Sequence, residues 1–298
     1  MQESFKYLQP AVVAQLANME LRARLVVEGF ITGLHKSPYH GFSVEFTEHR
    51  QYMPGDEIKH IDWKAYGKTD RFYIKQFEEE TNLKSYLIID ASKSMEYASP
   101  QQVSKFEYAS YIASALAYLM IEQRDAVGLT LYDESIRLML PPRATRSYLK
   151  EILKELEQAR PAKTTGTAPS LNRVAEQIKR RGLVIILSDL FDKPEAVMTA
   201  LKHFRYKGNE VLVMHVLDPL ERSFTFGKDA IFKDLETQEE LMTQPWHIQK
   251  AYQQSMNEFL EFYKYQCRNN NIDYVLLDTQ TPFDKALFEY LNKRKRFH

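Results

Sequence analysis

Ser85-Tyr86-Leu87-Ile88-Ile89-Asp90-Ala91-Ser92-Lys93-Ser94-Met95 is the stretch on which the reading of this chain turns: a hydrophobic strand that ends in an Asp-x-Ser-x-Ser turn. In an open α/β sheet, ligands bind beyond the carboxyl ends of the strands. The run therefore delivers one carboxylate and two hydroxyls to the edge where a ligand is expected. Only oxygen is on offer, which suits a hard cation such as Mg²⁺. A local reading competes with this one. Ser and Asp also start helices and close turns, and Ser99 or Ser104 is placed to cap the helix that follows.

Outward from this strand, β and amphipathic α segments alternate to the end of the chain. The spacing predicts a helix over Ser104 to Gln123, a strand over Ala126 to Tyr132, an edge strand over Ile136 to Leu140 and helices from Ser147 to Gln158 and Ser170 to Lys179. Strands over Leu183 to Ser188 and Glu210 to Val216 bracket a helix from Pro194 to Phe204. A polar stretch from Asp218 to Thr243 holds a short extended piece at Ala230 to Lys233. A long helix from Pro245 to Asn269, a strand at Tyr274 to Leu277 and a helix from Phe283 to Lys293 close the chain. The fold class expected is α/β: a doubly wound, mostly parallel sheet with helices on both faces. The stripe Tyr108, Ile112, Ala115, Leu116 and Leu119 reads as core. So do Phe259, Phe262, Tyr263 and Tyr265, with a partner surface as the rival reading.

Upstream, Val12, Val13, Leu16, Met19, Ala23 and Val26 recur at helical spacing, with Gly29 and Gly33 as stop signals. From Gly41 to Glu80 the chain turns polar and aromatic. Pro54-Gly55-Asp56 marks a turn there, and Phe72, Ile74 and Phe77 mark an extended segment. Two regions are expected: residues 1–83, an N-terminal helix plus this acidic and aromatic segment, and residues 84–298, the α/β domain.

If Asp90 ends the first sheet strand, other strand ends must supply further ligands. Thr164-Thr165-Gly166-Thr167-Ala168-Pro169 precedes a helix, and Leu183-Val184-Ile185-Ile186-Leu187-Ser188-Asp189 is a second apolar strand ending in a carboxylate. Asp90, Ser92, Ser94, Thr167 and Asp189 make a five-residue oxygen site, with Thr164 or Thr165 as alternatives to Thr167. Singly, each has a plainer role: Thr167 as a helix cap, Asp189 as a turn starter.

Bulk properties exclude several classes. Lys plus Arg and Asp plus Glu both number 40, so no net charge draws the chain to nucleic acid or anionic membrane. The single cysteine, Cys267, excludes an intrachain disulfide and a cysteine-based zinc site. No apolar run approaches the ~20 residues needed to cross a bilayer. The amino terminus lacks the basic start and apolar stretch of a signal peptide, and a cytoplasmic location is expected. The basic cluster Lys293 to Arg296 reads as a solvated end. No P-loop, Gly-x-Ser-x-Gly or His-Glu-x-x-His motif is present.

Asp90, Ser92, Ser94, Thr167 and Asp189 resemble the metal-ion-dependent adhesion site of von Willebrand factor A domains. The resemblance implies that Mg²⁺, with Mn²⁺ or Ca²⁺ as alternatives, is ligated by the two serine hydroxyls and by either the threonine or an aspartate. Other members act through water, and a partner's carboxylate fills the remaining position. The segment Val44 to Ile58, with Ile61-Asp62-Trp63-Lys64 and Phe77 to Glu80, resembles the family called domain of unknown function fifty-eight. That family joins this signature to a von Willebrand factor A-like domain, often beside a MoxR-type AAA+ ATPase. Family members often carry Asp directly after the Gly-Thr pair; here Ala168 and Pro169 follow.

The resemblance implies a non-enzymatic, Mg²⁺-dependent adaptor whose partner is a MoxR-type ATPase or a protein presenting an acidic side chain. In the signature segment, Glu48, Arg50, Asp56, Asp62 and Trp63 are the candidate partner contacts; a buried ion-pair network is the competing role. Two other classes compete with the adaptor: a metal-dependent phosphoester hydrolase and a scaffold with a vestigial metal site. The hydrolase reading lacks a proton donor, because position 92 is Ser where a second Asp is needed.

Overall fold

The computed structural model describes residues 10–13, 18–36, 50–51, 66–67, 73–74, 83–162, 164–226, 230–233, 240–243 and 245–295. Two compact units make up the chain, one of residues 1–33 with 83–298 and the other of residues 34–82. The large unit is built on a six-stranded sheet. Its strands are β3 (Lys84–Asp90), β4 (Ala126–Tyr132), β5 (Ile136–Arg143), β6 (Leu183–Ser188), β7 (Glu210–Leu217) and β10 (Asp273–Asp278). They lie in the order β10-β7-β6-β3-β4-β5. Only the β4–β5 pair is antiparallel. This is the doubly wound, mostly parallel sheet expected from the alternation.

Strands buried on both faces must be apolar at successive positions, and β6 is so from Leu183 to Leu187, with Ser188 buried at its end. Tyr86 and Ile88 point to one face, into a core with Leu171, Val174, Leu201 and Phe204. On that face the helices Thr167–Gln177, Pro194–Tyr206 and Pro245–Asn269 pack in sequence. The helix Lys105–Glu122 packs against Arg146–Gln158 and Phe283–Lys295, and Tyr108 stacks on Phe283 at 5.1 Å between centroids. The stripe from Tyr108 to Leu119 is core, as its spacing predicts. In the late helix Tyr263 is fully enclosed, but Tyr265 is 63% exposed and faces solvent. Its position, two residues on, is about 200° round the helix.

Edge strand β5 runs three residues past the predicted Leu140, through Pro141 and Pro142. An edge strand tolerates proline because the missing donor can face away from the ladder. The N-terminal helix also differs from its reading. Helices span Pro10–Val13 and Met19–Lys36, and Asn18 caps the second by accepting the Leu21 N–H at 2.9 Å. That helix continues through Gly29 and Gly33, since an interior glycine costs only about 1 kcal/mol. Met19, Ala23 and Val26 are buried as the periodicity requires, and Arg22 lies 4.9 Å from the Tyr111 ring centroid.

In the second unit, β1 (Arg50–Gln51) pairs antiparallel with β2 (Tyr73–Ile74). Phe72, Phe77 and the turn at Pro54 to Asp56 lie outside the described residues. A hairpin of β8 (Ala230–Lys233) and β9 (Glu240–Thr243) occupies the polar stretch.

The candidate site lies where the winding reverses. From β3 the chain proceeds to β4 and β5 on one side, then returns to β6, β7 and β10 on the other. The carboxyl ends of β3 and β6 flank this switch point, the usual ligand crevice of such sheets.

Candidate metal centre

Register aligns the strand ends. Asp90 pairs with Tyr132 across β3 and β4, Ile89 pairs with Leu187 across β3 and β6, and Ser188 pairs with His215 across β6 and β7. Tyr132, Asp90, Ser188 and His215 thus stand in a row along the carboxyl edge. Asp90 Oδ2 accepts from Ser188 Oγ at 2.8 Å, Tyr132 OH at 3.2 Å and Thr167 Oγ1 at 3.3 Å. Its Oδ1 accepts the backbone N–H of Ser92 at 2.9 Å. Burial first, and then the neighbouring Asp189 carboxylate, push the Asp90 carboxyl up to about 6.

Ser92 precedes a tight turn of 3₁₀ helix, Lys93–Glu96, and Ser94 lies within it. Ser92 Oγ and Ser94 Oγ are 3.1 Å apart, and Ser94 Oγ lies 3.4 Å from Thr165 Oγ1. The site is therefore layered. Asp90, Ser92, Thr167, Ser188 and Asp189 are fully buried, whereas Ser94 and Thr165 are partly open to solvent.

The capping alternatives resolve differently for each residue. Ser104 is the cap of Lys105–Glu122, in a reciprocal box with Glu107. Ser99 instead donates its N–H and hydroxyl to the buried Asp218. Thr167 is not a cap: its helix starts at Thr167 itself, three residues before the predicted Ser170, with Gly166 at the cap position. Its hydroxyl is turned to Asp90 instead. Thr164 is exposed, and its hydroxyl lies 3.5 Å from Glu134 Oε2, away from the cluster. Where family members often carry Asp after Gly-Thr, the N–H of Ala168 is held at 3.0 Å by Asp192 from another loop.

Asp189 is engaged on all sides. Its Oδ2 accepts from Lys105 Nζ at 2.8 Å, its Oδ1 from the Phe191 N–H at 3.2 Å, and its carbonyl faces His215 Nε2 at 2.8 Å. Lys105 also meets Glu221 Oε1 at 2.7 Å. Burial alone would lower the Lys105 ammonium, but the Asp189 and Glu221 carboxylates outweigh it and hold the group above its usual range. Ser188, Tyr132, Lys105, His215 and Glu221 were not among the site residues expected from the sequence. Ser188 and Tyr132 had a signal, as polar residues closing apolar strands; the other three had none.

Among the described residues no group of three or more His, Cys, Asp or Glu converges to hold a metal, so an ion at this edge would rest largely on hydroxyls. The donor set is chemically consistent with Mg²⁺: all oxygen, with two buried carboxylates close enough for one to raise the other. Of the proposed partner contacts, Arg50 lies in β1; Glu48, Asp56, Asp62 and Trp63 lie outside the described residues.

A doubly wound sheet with Asp-x-Ser-x-Ser closing its central strand is the arrangement that the resemblance to von Willebrand factor A domains implies. The chain belongs to the family described as protein of unknown function DUF58, which matches residues 48–259. Similar proteins include the uncharacterized protein Rv1480 of Mycobacterium tuberculosis and the uncharacterized protein Mb1516 of Mycobacterium bovis. Each is 26% identical over 232 residues, covering 76% of this chain and 72% of the relative. Solved structures similar to it include BatB from Bacteroides thetaiotaomicron, at 18% identity and TM-score 0.47 over 72% of this chain and 99% of that one. Another is the SpRpn10 VWA domain, at 9% identity and TM-score 0.43 over 70% of this chain and 94% of that one. No helix among the described residues is long and apolar enough to cross a membrane.

Proposed function

We propose that this chain is a non-enzymatic, Mg²⁺-dependent protein-binding adaptor of the cytoplasm that works with a MoxR-type AAA+ ATPase to mature or remodel client proteins. The observation that carries the reading is the layered oxygen cluster at the switch point, with Ser94 and Thr165 at its partly open rim and Asp90 behind them. Ser92, Ser94 and one of Thr165 or Thr167 would hold the ion, with Asp90 and Asp189 as the carboxylates beneath. When bound, Mg²⁺ supplies a Lewis-acidic position for a partner's carboxylate. Hydroxyls neutralise little of a dication, so the site retains attraction for an acidic side chain. Glu48, Arg50, Asp56, Asp62 and Trp63 add a second contact with the ATPase, too weak to retain it without the metal.

The test uses purified MoxR-type ATPase from the same cells, passed over immobilised wild type and Asp90→Ala, each in Mg²⁺ and in chelator. Retention by wild type in Mg²⁺ alone is the expected result. Equal retention in all four conditions would remove the metal from recognition and leave the segment around Arg50.

A further inference from the structure

Among the described residues, Lys105 is the one lysine or arginine that is fully buried, and it stands beside the candidate metal centre. Its place is set at the first turn of the helix Lys105–Glu122, whose start is fixed by the Ser104 and Glu107 box. The ammonium lies between Asp189 Oδ2 at 2.8 Å and Glu221 Oε1 at 2.7 Å, and 4.8 Å from the centre of the Phe191 ring. Both carboxylates are themselves held. Glu221 Oε2 accepts the Asp218 N–H at 3.1 Å, and Asp189 Oδ1 accepts the Phe191 N–H.

We propose that Lys105 is a positioning residue of the metal centre: it engages the Asp189 carboxylate and withholds it from direct ligation. The inference rests on the metal reading above. Ligand charge tunes the affinity of an oxygen site for a divalent cation, so each carboxylate that reaches the ion tightens binding and leaves less charge for a partner. Lys105 thereby trades metal affinity for an ion that still attracts a carboxylate from outside. A purely structural ion pair makes the opposite prediction. Removing one partner of such a pair strands the other charge and loosens the fold, which weakens metal binding or leaves it unchanged.

Mg²⁺ alone, titrated calorimetrically into the full chain, separates these cases by sign. Lys105→Met, which fills the volume without the charge, is expected to bind Mg²⁺ about tenfold tighter than wild type. Glu221→Gln leaves the ammonium with one fewer counter-charge near the ion and is expected to bind about threefold more weakly or worse. A folded Lys105→Met with equal or weaker affinity overturns the proposal. Should that variant not fold, Lys105→Gln, a shorter neutral donor to the same carboxylates, takes its place, and equal or weaker affinity again overturns the proposal. Wild type that takes up no Mg²⁺ removes the metal reading itself, and the role of Lys105 with it. Wild type that binds while the variants fall in the wrong order removes only the role of Lys105.

Discussion

His215 Nε2 lies 2.8 Å from the carbonyl oxygen of Asp189 while its Nδ1 lies 2.7 Å from the hydroxyl of Tyr274. A carbonyl only accepts, so Nε2 carries the hydrogen, and Nδ1 accepts from the tyrosine. The ring is neutral and enclosed by Phe259, Tyr263 and Tyr274. Burial lowers the imidazole to about 4.

His215 and Asp90 act on stability in opposite directions. The folded pKa of His215 is depressed from 6.5, so its contribution is present above pH 6.5 and lost as pH falls towards 4. That of Asp90 is raised from 3.8 to about 6, so its contribution is present below pH 3.8 and lost as pH rises through 6. At 1.36 kcal/mol per unit each amounts to about 3 kcal/mol. Metal-free wild type should therefore show a nearly flat stability between pH 4 and 6 in urea titrations. His215→Gln should lose stability as pH rises across that window, and Asp90→Asn should gain it. A steep slope in wild type with no change of sign between the variants would refute the assignment.

Metal binding should follow Asp90. Below pH 6 a proton competes with the ion, and Mg²⁺ affinity should fall up to about tenfold per unit. At 100 times its Kd the ion would stabilise the fold by about 2.7 kcal/mol, readable as a rise in Tm. Asp90→Asn and Ser92→Ala should lose that rise, whereas Thr164→Ala should keep it, because its hydroxyl points to Glu134.

Cys267 should be inert in the folded protein. Its thiol is fully enclosed, sits 4.0 Å from the sulfur of Met198, and is pushed by burial up to about 12. A thiol reagent at pH 8 should therefore modify it only at the rate at which the chain opens, and rapidly in denaturant. Fast labelling under native conditions would contradict its placement in the core.

Gly182 precedes β6 at a point where a Cβ would lie 2.0 Å from the carbonyl oxygen of Lys84. Gly182→Ala must push β6 away from β3, beneath both aspartates, and should cost about 2 kcal/mol or more by chemical denaturation. Gly67, whose added carbon meets no atom of the described residues within 4 Å, should accept alanine more readily.

Much of the sheet was legible because its strands are enclosed on both faces and so are written as unbroken apolar runs. Ala126–Tyr132 and Leu183–Ser188 have the bounds their composition predicts. The polar residue that closes each run marked the functional edge. Departures arose where a local signal was outweighed. The glycines at 29 and 33 did not stop their helix, and the prolines at 141 and 142 did not end an edge strand.

By itself the sequence determined the alternation of elements and the delivery of Asp90, Ser92, Ser94 and Asp189 to one edge, because strand ends and tight turns are local events. Only the tertiary structure decided that Ser188 and Tyr132 clasp Asp90, that Thr165 joins the rim while Thr167 lies beneath it, and that Lys105 holds Asp189. Those neighbours are 98, 42, 71, 77 and 84 residues apart along the chain. They meet through strand order, register and helix packing, and a buried charge acquires its partner only when the whole sheet has assembled.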